Sequence, residues 1–507
     1  MQKKQTILVV ASLLVVVLSV TLAYFTAQIV GKGKDVLVTS ADLKIVFTDT
    51  DGNIEGNDIT PGWSNNKTFS VKNESNETYK YNIVIQDLVN TFVTEGYLQY
   101  KITSTNGGYN MTEFKDIPKS SVATDTILAY SASIDVGVTQ SYTIEFKYAN
   151  DESVDQSDDM GKTLSGKLFI TEGTEEPITL LSQILKDNPT RSTRSNNNNG
   201  TNDFATPLTT NTTGTLFTST ESIAGSTPKE VYYYAGNTTK NWVKFAGFYW
   251  RIIRTNHDGS IRLLYVGTSP DTTTGNIGES RFNPSSKSPK YVGYKYGEDT
   301  LLDTIRNNTT DNTIKAFIDS WYQSNLINYK KYLSTSAVYC NDRSLGTGQK
   351  YSASSEFNFA PSYRMDKDTK GAKANPSYNC TDIRDAFSVD NTSAKLDFPV
   401  SLMTADEMAF AGGVYGTKMN TPYAWFISNS VGTQVSSSWW SLSPGGWDGS
   451  SSNVWWWNSV YARLSSSYVN NAGDVRPVLS LKTCIKYSTG NGTPETPYEI
   501  VETSSGC

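Results

Sequence analysis

Apolar and polar residues alternate in short runs through the first third of the chain. Leu43–Phe47, Thr68–Lys72, Tyr79–Val84, Leu98–Ile102, Ser141–Tyr148 and Lys167–Ile170 each carry an alternating or β-branched pattern. Turn clusters at Asp49–Asn53, Asn73–Asn76 and Thr105–Gly108 separate them. Strands this short and this regularly punctuated, without a long helical period, predict a β-sandwich over residues 35–172. The period then changes. Over Glu175–Asn188, Leu181, Ile184 and Leu185 line one helical face with Leu180 beside them, Pro177 suits the first turn, and Asn188-Pro189 ends the helix. The run that follows, Arg191–Thr218, has little to bury and much to solvate, so residues 173–220 read as a short helix plus a linker leaning to disorder.

A second pattern occupies residues 221–507. Glu230–Tyr234, Trp242–Arg254 and Ile261–Val266 read as strands, with a hairpin turn at Asn256–Ser260 that contains His257. Asn312–Tyr322 has helical periodicity, with Ile314, Phe317, Ile318 and Trp321 on one face. Another helix begins at Met403–Met408: Thr404 and Glu407 have capping-box spacing, Met403 and Met408 fit a hydrophobic staple, and Gly412-Gly413 stops it. Asp406 and Glu407 are then first-turn acids that complement the helix dipole rather than an acid–base pair. Val475–Leu481 reads as a closing core strand, so the first and last strands of this half are expected to meet. The fold class is mostly β with a few helices: a β-sandwich joined by a linker to an α+β domain.

The most unusual stretch is Trp439–Leu481, which holds six of the chain's eleven tryptophans. Ser, Gly, Asn and Tyr fill most of the gaps. Large rigid aromatics set among adaptable polar residues are the mixture used by paratopes, whereas a core favours Val, Leu and Ile. The stretch therefore reads as a displayed binding surface, with Trp447, Asp448, Trp456, Tyr461, Arg463 and Tyr468 as candidate contacts. Because Trp455, Trp456 and Trp457 are consecutive, the middle ring points away from the outer two in a strand, and at least one belongs to the core.

Charge and cysteine change the picture in two ways. The net charge is −6 and no basic tract extends beyond Lys32 and Lys34, which argues against nucleic acid. At the N-terminus, Lys3 and Lys4 precede an apolar run over Ile7–Leu22, and Thr21 and Ala23 suit a signal-peptidase site. Residues 1–31 are a signal peptide or, since apolar character continues to Val30, a retained anchor; either places the bulk of the chain outside the cytoplasm. Four cysteines suit that address, and local loop closure favours Cys340–Cys380 and Cys484–Cys507 among three pairings. Sequons at Asn66, Asn73 and Asn76 are accounted for by the abundance of asparagine.

Two resemblances add to this reading. LAYFTA (Leu22–Ala27), SADLKIVF, ITPGWSNNKTFSVKN and the YNIVI strand form an ordered series over Leu22–Val84. The series resembles the TasA/camelysin family of Gram-positive secreted matrix-fibre proteins, which implies cleavage between Ala23 and Tyr24 and a jelly-roll sandwich; self-assembly through this domain stays open. FAGFYWRIIR (Phe245–Arg254), FPVSLMTADEMAFAGG (Phe398–Gly413), SWWSLSP (Ser438–Pro444) and DVRPVLSL (Asp474–Leu481) resemble C-type-lectin-like domains. The likeness is to formylglycine-generating-enzyme-like proteins and the variable proteins of diversity-generating retroelements. In the latter, asparagine codons between the SP and RP blocks are mutated. Tryptophan cannot arise that way, so Trp447 and Trp455–Trp457 depart from the pattern.

Catalytic constellations are missing from the sequence. His257 is the one histidine, and no P-loop, GxGxxG, HExxH or zinc spacing occurs. The EPN, QPD and WND motifs of calcium-dependent lectins are also missing. The expected function is a non-enzymatic secreted or cell-surface, adhesin-like protein that binds an extracellular protein or glycan, needs no cofactor or metal, and touches membrane only through its N-terminal segment. The alternatives are a subunit of a matrix fibre and an oxidase of the formylglycine-generating type.

Overall fold

A computed structural model describes residues 35–40, 43–49, 54, 55, 59–94, 96–196, 202–365, 374–435, 437–503, 506 and 507. The expected signal segment and the Ala23/Tyr24 cleavage site lie outside them. The chain is mostly β with few helices and divides into two compact units, residues 1–176 and 177–507.

The first unit contains two antiparallel sheets. One runs in the order Asp35–Ser40, Leu43–Asp49, Ser64–Asn73, Thr139–Tyr148, Leu98–Ser104, Lys115–Asp116. The other runs Ile54–Glu55, Leu164–Glu172, Tyr79–Asn90, Ser120–Ile134. Side-chain alternation builds the core: in Thr139–Tyr148, Gln140, Tyr142, Ile144, Phe146 and Tyr148 are buried and their neighbours are not. Phe69, Val71, Ile102 and Ile144 from one sheet share a single core cluster with Ile83, Ile85, Leu88 and Leu168 from the other. The strand Ser120–Ile134 has no counterpart in the sequence-based expectation. Its register against Tyr79–Asn90 shifts repeatedly, and Ser131 has a φ of 48°, so no clean period of two survives in its sequence. Asn73 is fully buried and its amide donates to the carbonyls of Glu77 and Ile134, which excludes a glycan at that sequon.

The second unit begins earlier than expected, because the segment read as a linker belongs to its fold. The helix is Leu180–Asp187, shorter than Glu175–Asn188, and its N-cap is Thr179, whose hydroxyl accepts from Ser182 N–H. Residues ahead of it are instead held extended, as Tyr487 N–H donates to the Ile178 carbonyl. Thr190–Thr193 and Thr215–Glu221 are paired parallel strands of a ten-stranded sheet. The physical reason lies in a few anchors among the polar residues. Leu216 and Phe217 are buried, and the Arg194 guanidinium lies over the Phe204 ring while donating to the Phe410 and Asp203 carbonyls.

Near the centre of that sheet, Ile261–Gly267 and Pro477–Leu481 pair antiparallel and are buried along their whole length. Trp242–Phe245 pairs with Tyr498–Ile500, so early and late strands do meet. Cys340–Cys380 and Cys484–Cys507 are both bridged. The helix Thr313–Asn325 is capped by Asn312, and Ile314 and Ile318 are buried while Phe317 and Trp321 are half-buried. The helix Ala405–Ala411 has the expected reciprocal capping box of Thr404 and Glu407, and Gly412 stops it at a φ of 123°. Every residue of that helix is buried.

Candidate functional site

The Trp-rich stretch forms the middle and one end of a six-stranded sheet: Glu279–Arg281, Ala472–Asp474, Trp439–Trp447, Ser452–Asn458, Arg463–Tyr468, with Phe357–Asn358 also on Trp439–Trp447. Register decides which rings share a face. Trp439 pairs with Trp457 and Trp457 with Leu464; Trp440 pairs with Trp456 and Trp456 with Ser465. Trp439, Trp440, Trp455 and Trp457 are completely buried. Trp440 and Trp455 donate to the Ser280 carbonyl and the Ser362 hydroxyl, respectively. Trp456 is half-buried, its ring tilted against Trp440 at 5.6 Å between centroids.

The expectation that the indoles are displayed is therefore corrected for five of the six: Trp439, Trp440, Trp447, Trp455 and Trp457 are buried, and Trp456 is half-buried. Trp447, expected as a contact, is 5% exposed and sits where Phe357 pairs with it. The phenols behave differently, since Tyr461 is 56% and Tyr468 46% exposed. Between Ser452–Asn458 and Arg463–Tyr468 the turn also presents Val460, 79% exposed, which the sequence reading missed. An aliphatic residue in a Ser-Val-Tyr-Ala turn was the available signal.

The six candidates do not make one patch. Asp448 and Tyr468 come together, with the Tyr468 hydroxyl donating to the carboxylate at 2.9 Å. Asp448 also accepts from Ser450 and Ser451 main-chain N–H groups. Burial opposes its ionised form, but these hydrogen bonds outweigh it and hold the carboxyl below its usual value. Arg463 and Tyr461 come together at the other end, the guanidinium 4.9 Å from the ring centre. Tyr468 is opposite Asn453 and Arg463 opposite Asn458, so the two ends are separated by roughly 17 Å at about 3.4 Å per residue. Trp456 shares its face with the Asn458–Arg463 pair and not with Tyr468.

That leaves a tip at the turn end of the hairpin, Val460, Tyr461 and Arg463, with the half-buried Trp456 two residues before Asn458 on the face that Arg463 shares. It is firmly held. Arg463 donates to the Gly416 carbonyl, Met419 N–H to the Ala462 carbonyl, and Tyr461 N–H to the Asn458 side chain.

Charged side chains concentrate elsewhere, in the interior. Arg254 lies between Glu221 at 2.8 Å and Glu407 at 2.9 Å, and Glu407 also takes Arg262 at 2.5 Å. Arg364 pairs with Asp406 and Asp342, both at 2.7 Å. Burial disfavours the ionised form of Glu221 and Glu407, yet the guanidinium charges outweigh it and keep both carboxyls below their usual range. The helix-dipole role of Asp406 and Glu407 is thus joined by ion pairing, which sequence spacing could not reveal because Arg254, Arg262 and Arg364 are distant in the chain. His257 stands in its turn, its main-chain N–H donating to Glu221. With every acid of this network committed to a cation, none is poised as a general base.

Asp311, Asp319 and Asp397 converge within the reach of a metal ion's ligands, but the Lys315 ammonium sits among them at 2.9, 2.6 and 2.6 Å and already supplies the cation. In the first unit, a cleft of about 290 Å³ is lined by Ile59, Tyr148, Asp159 and Met160 among others. The Asp159 carboxylate there is occupied by Val93 N–H and the Tyr148 hydroxyl.

No family model matches the chain, and comparison with curated proteins and with solved structures likewise finds no match.

Proposed function

We propose that the protein is a secreted or cell-surface, adhesin-like binding protein whose second unit presents the Trp456–Val460–Tyr461–Arg463 tip to an extracellular protein or glycan. The observation that carries this reading is the exposure of Val460 and Tyr461, 79% and 56%, on a turn pinned by side-chain and main-chain hydrogen bonds. A rigid exposed aromatic beside an aliphatic residue and a guanidinium is the composition of a binding hot spot, where few residues supply most of the affinity. The two bridged cysteine pairs support an oxidising, extracellular environment.

In this proposal the first unit is a TasA-like sandwich and the second a C-type-lectin-like domain, on the strength of the motifs at Leu22–Val84 and Trp242–Leu481. The bridging of both cysteine pairs favours binding over an oxidase that would need reactive thiols. Diversification by a retroelement would concern the polar positions between Trp447 and Asn471, with the indole base constant.

The test is capture by the folded chain of whole cells and arrayed glycans, compared with a Val460→Ser, Tyr461→Ser, Arg463→Ser variant. Loss of capture with unchanged thermal unfolding supports the assignment. Unchanged capture by the folded variant removes the tip from it.

A further inference from the structure

The turn after Asn458 is flanked by a second stretch of chain, residues 414–419. Leu464 N–H donates to the Val414 carbonyl, Gly416 N–H to the Leu464 carbonyl, and Met419 N–H to the Ala462 carbonyl at 2.7 Å. The Arg463 guanidinium closes the same seam on the Gly416 carbonyl. Lys418 is thus one residue from a hydrogen bond to the turn, and Gly416, Thr417 and Lys418 are all exposed. Exposed Val460 and Tyr461 share this end of the hairpin with two cations, one from each stretch. Charge is uneven here. The whole chain carries −6, yet between residues 409 and 473 Asp448 is the only acid, and Lys418 and Arg463 are the only bases. Asp448 is bonded to Tyr468 at the far end of the hairpin. Neither Lys418 nor Arg463 meets a carboxylate among the described residues.

We propose that the tip takes a protein partner that presents a carboxylate beside an apolar side chain, an inference that rests on the binding role given to the tip above. Charge complementarity chooses the sign. An acidic group gains from both cations while a basic one is repelled, and such fields set the choice of partner and the association rate more than the affinity. Arg463 suits this task, because its planar guanidinium is already held by the Gly416 carbonyl and lies 4.9 Å from the Tyr461 ring centre, so less rotamer freedom is lost when it meets a carboxylate. The apolar groups choose protein over glycan. A hydroxyl-dense sugar is read by donors and acceptors, and the Val460 isopropyl group is neither. Next to it, the Asn458 side-chain oxygen and the Ser459 carbonyl already accept from Tyr461 N–H and the Gln434 amide. An exposed aliphatic group beside a phenol gains instead by being covered with another apolar side chain, as at the centre of a protein interface.

The experiment measures binding of the folded chain to four immobilised polymers: a glutamate–tyrosine copolymer, polyglutamate, a lysine–tyrosine copolymer and polygalacturonate. The glutamate–tyrosine copolymer is expected to bind best and to lose affinity as salt rises. Lys418→Glu, at an exposed position, is expected to weaken that binding about threefold to tenfold with an unchanged thermal midpoint, and Val460→Ser to weaken it as well. Tighter binding to polygalacturonate overturns the choice of protein, and equal binding to polyglutamate with no effect of Val460→Ser overturns the apolar half. Binding that ignores Lys418→Glu, or no binding to the glutamate–tyrosine copolymer, overturns the acidic partner. The tip itself is judged separately by the capture of whole cells. If the triple Val460, Tyr461, Arg463 variant loses capture while Lys418→Glu keeps it, the partner chemistry falls and the tip stands; if the triple variant captures normally, both fall.

Discussion

The strands Trp439–Trp447 and Arg463–Tyr468 lie in one sheet and draw on similar residues, yet the first is buried at all nine positions and the second at two of six. The difference is where each stands. Trp439–Trp447 is flanked by Ser452–Asn458, Ala472–Asp474 and Phe357–Asn358, while Arg463–Tyr468 ends the sheet order. A strand with neighbours on both sides and packing on both faces buries whatever its sequence contains; at the end of the order the outer edge of Arg463–Tyr468 is met at Leu464 by the segment Val414–Gly416, and four of its six residues keep some contact with solvent. Composition alone had suggested display for both. Sheet position separated them, leaving the indoles as foundation and the turn beyond them as the presented part.

The largest test of that contrast is Trp457→Ala, expected to cost about 3–5 kcal/mol as a large buried ring leaves a cavity, read by urea unfolding. Tyr461→Ala is expected to stay within about 0.5 kcal/mol of the parent, as exposed substitutions do. Reversal of the two results would break the comparison.

Nearly as large is Glu407→Ala, which takes from the buried Arg262 its carboxylate partner and leaves Arg254 with Glu221 alone. Removing one partner of a buried ion pair costs about 3–5 kcal/mol, and the same unfolding assay measures it. The foundation is thus charged as well as aromatic.

Acid sharpens the point with opposite signs in two clusters. Glu221 and Glu407 have folded values below their unfolded ones, so their contribution is present above the unfolded carboxylate value and is lost as pH falls through the depressed one. Asp319 is pushed up to about 6, by burial first, with Lys315 opposing. The folded state therefore takes up a proton there before the unfolded state does. Stability rises as pH falls through about 6 and the gain is complete below the unfolded value. Thermal midpoints are expected to climb slightly from pH 7 to 5 and drop steeply below 4, and Asp319→Asn should abolish the climb.

The smallest effect is Tyr468→Phe, which removes an exposed hydrogen bond to Asp448 and should cost under about 1 kcal/mol. A larger loss would mean that this end of the strand is structural rather than presented.

Much was legible locally. The Thr404–Glu407 capping box, the Ile314 and Ile318 face of the helix Thr313–Asn325 and the Asn256–Ser260 turn were legible in spacing, and loop closure favoured the two cysteine pairs that form, because each depends on residues a few positions apart or on a local loop. The strand Ser120–Ile134 was not, since its bulges destroy the period of two. The segment Arg191–Thr218 misled for a related reason. Its polar residues are ordered by partners such as Phe410, far along the chain, that composition does not reveal. The candidate site was half legible: Tyr461 and Arg463 remain together with Trp456 on the face that Arg463 shares, Trp447 is interior, and Asp448 with Tyr468 belongs to a separate end.

The sequence by itself determined the capping box at Thr404, the turn at Asn256–Ser260 and most of the alternation in the first unit, all of which follow from backbone chemistry within short stretches. Only the tertiary structure decided which aromatic rings meet solvent and which carboxylates meet arginine. Burial is a property of what covers a residue, and here the covering segments come from far away in the chain.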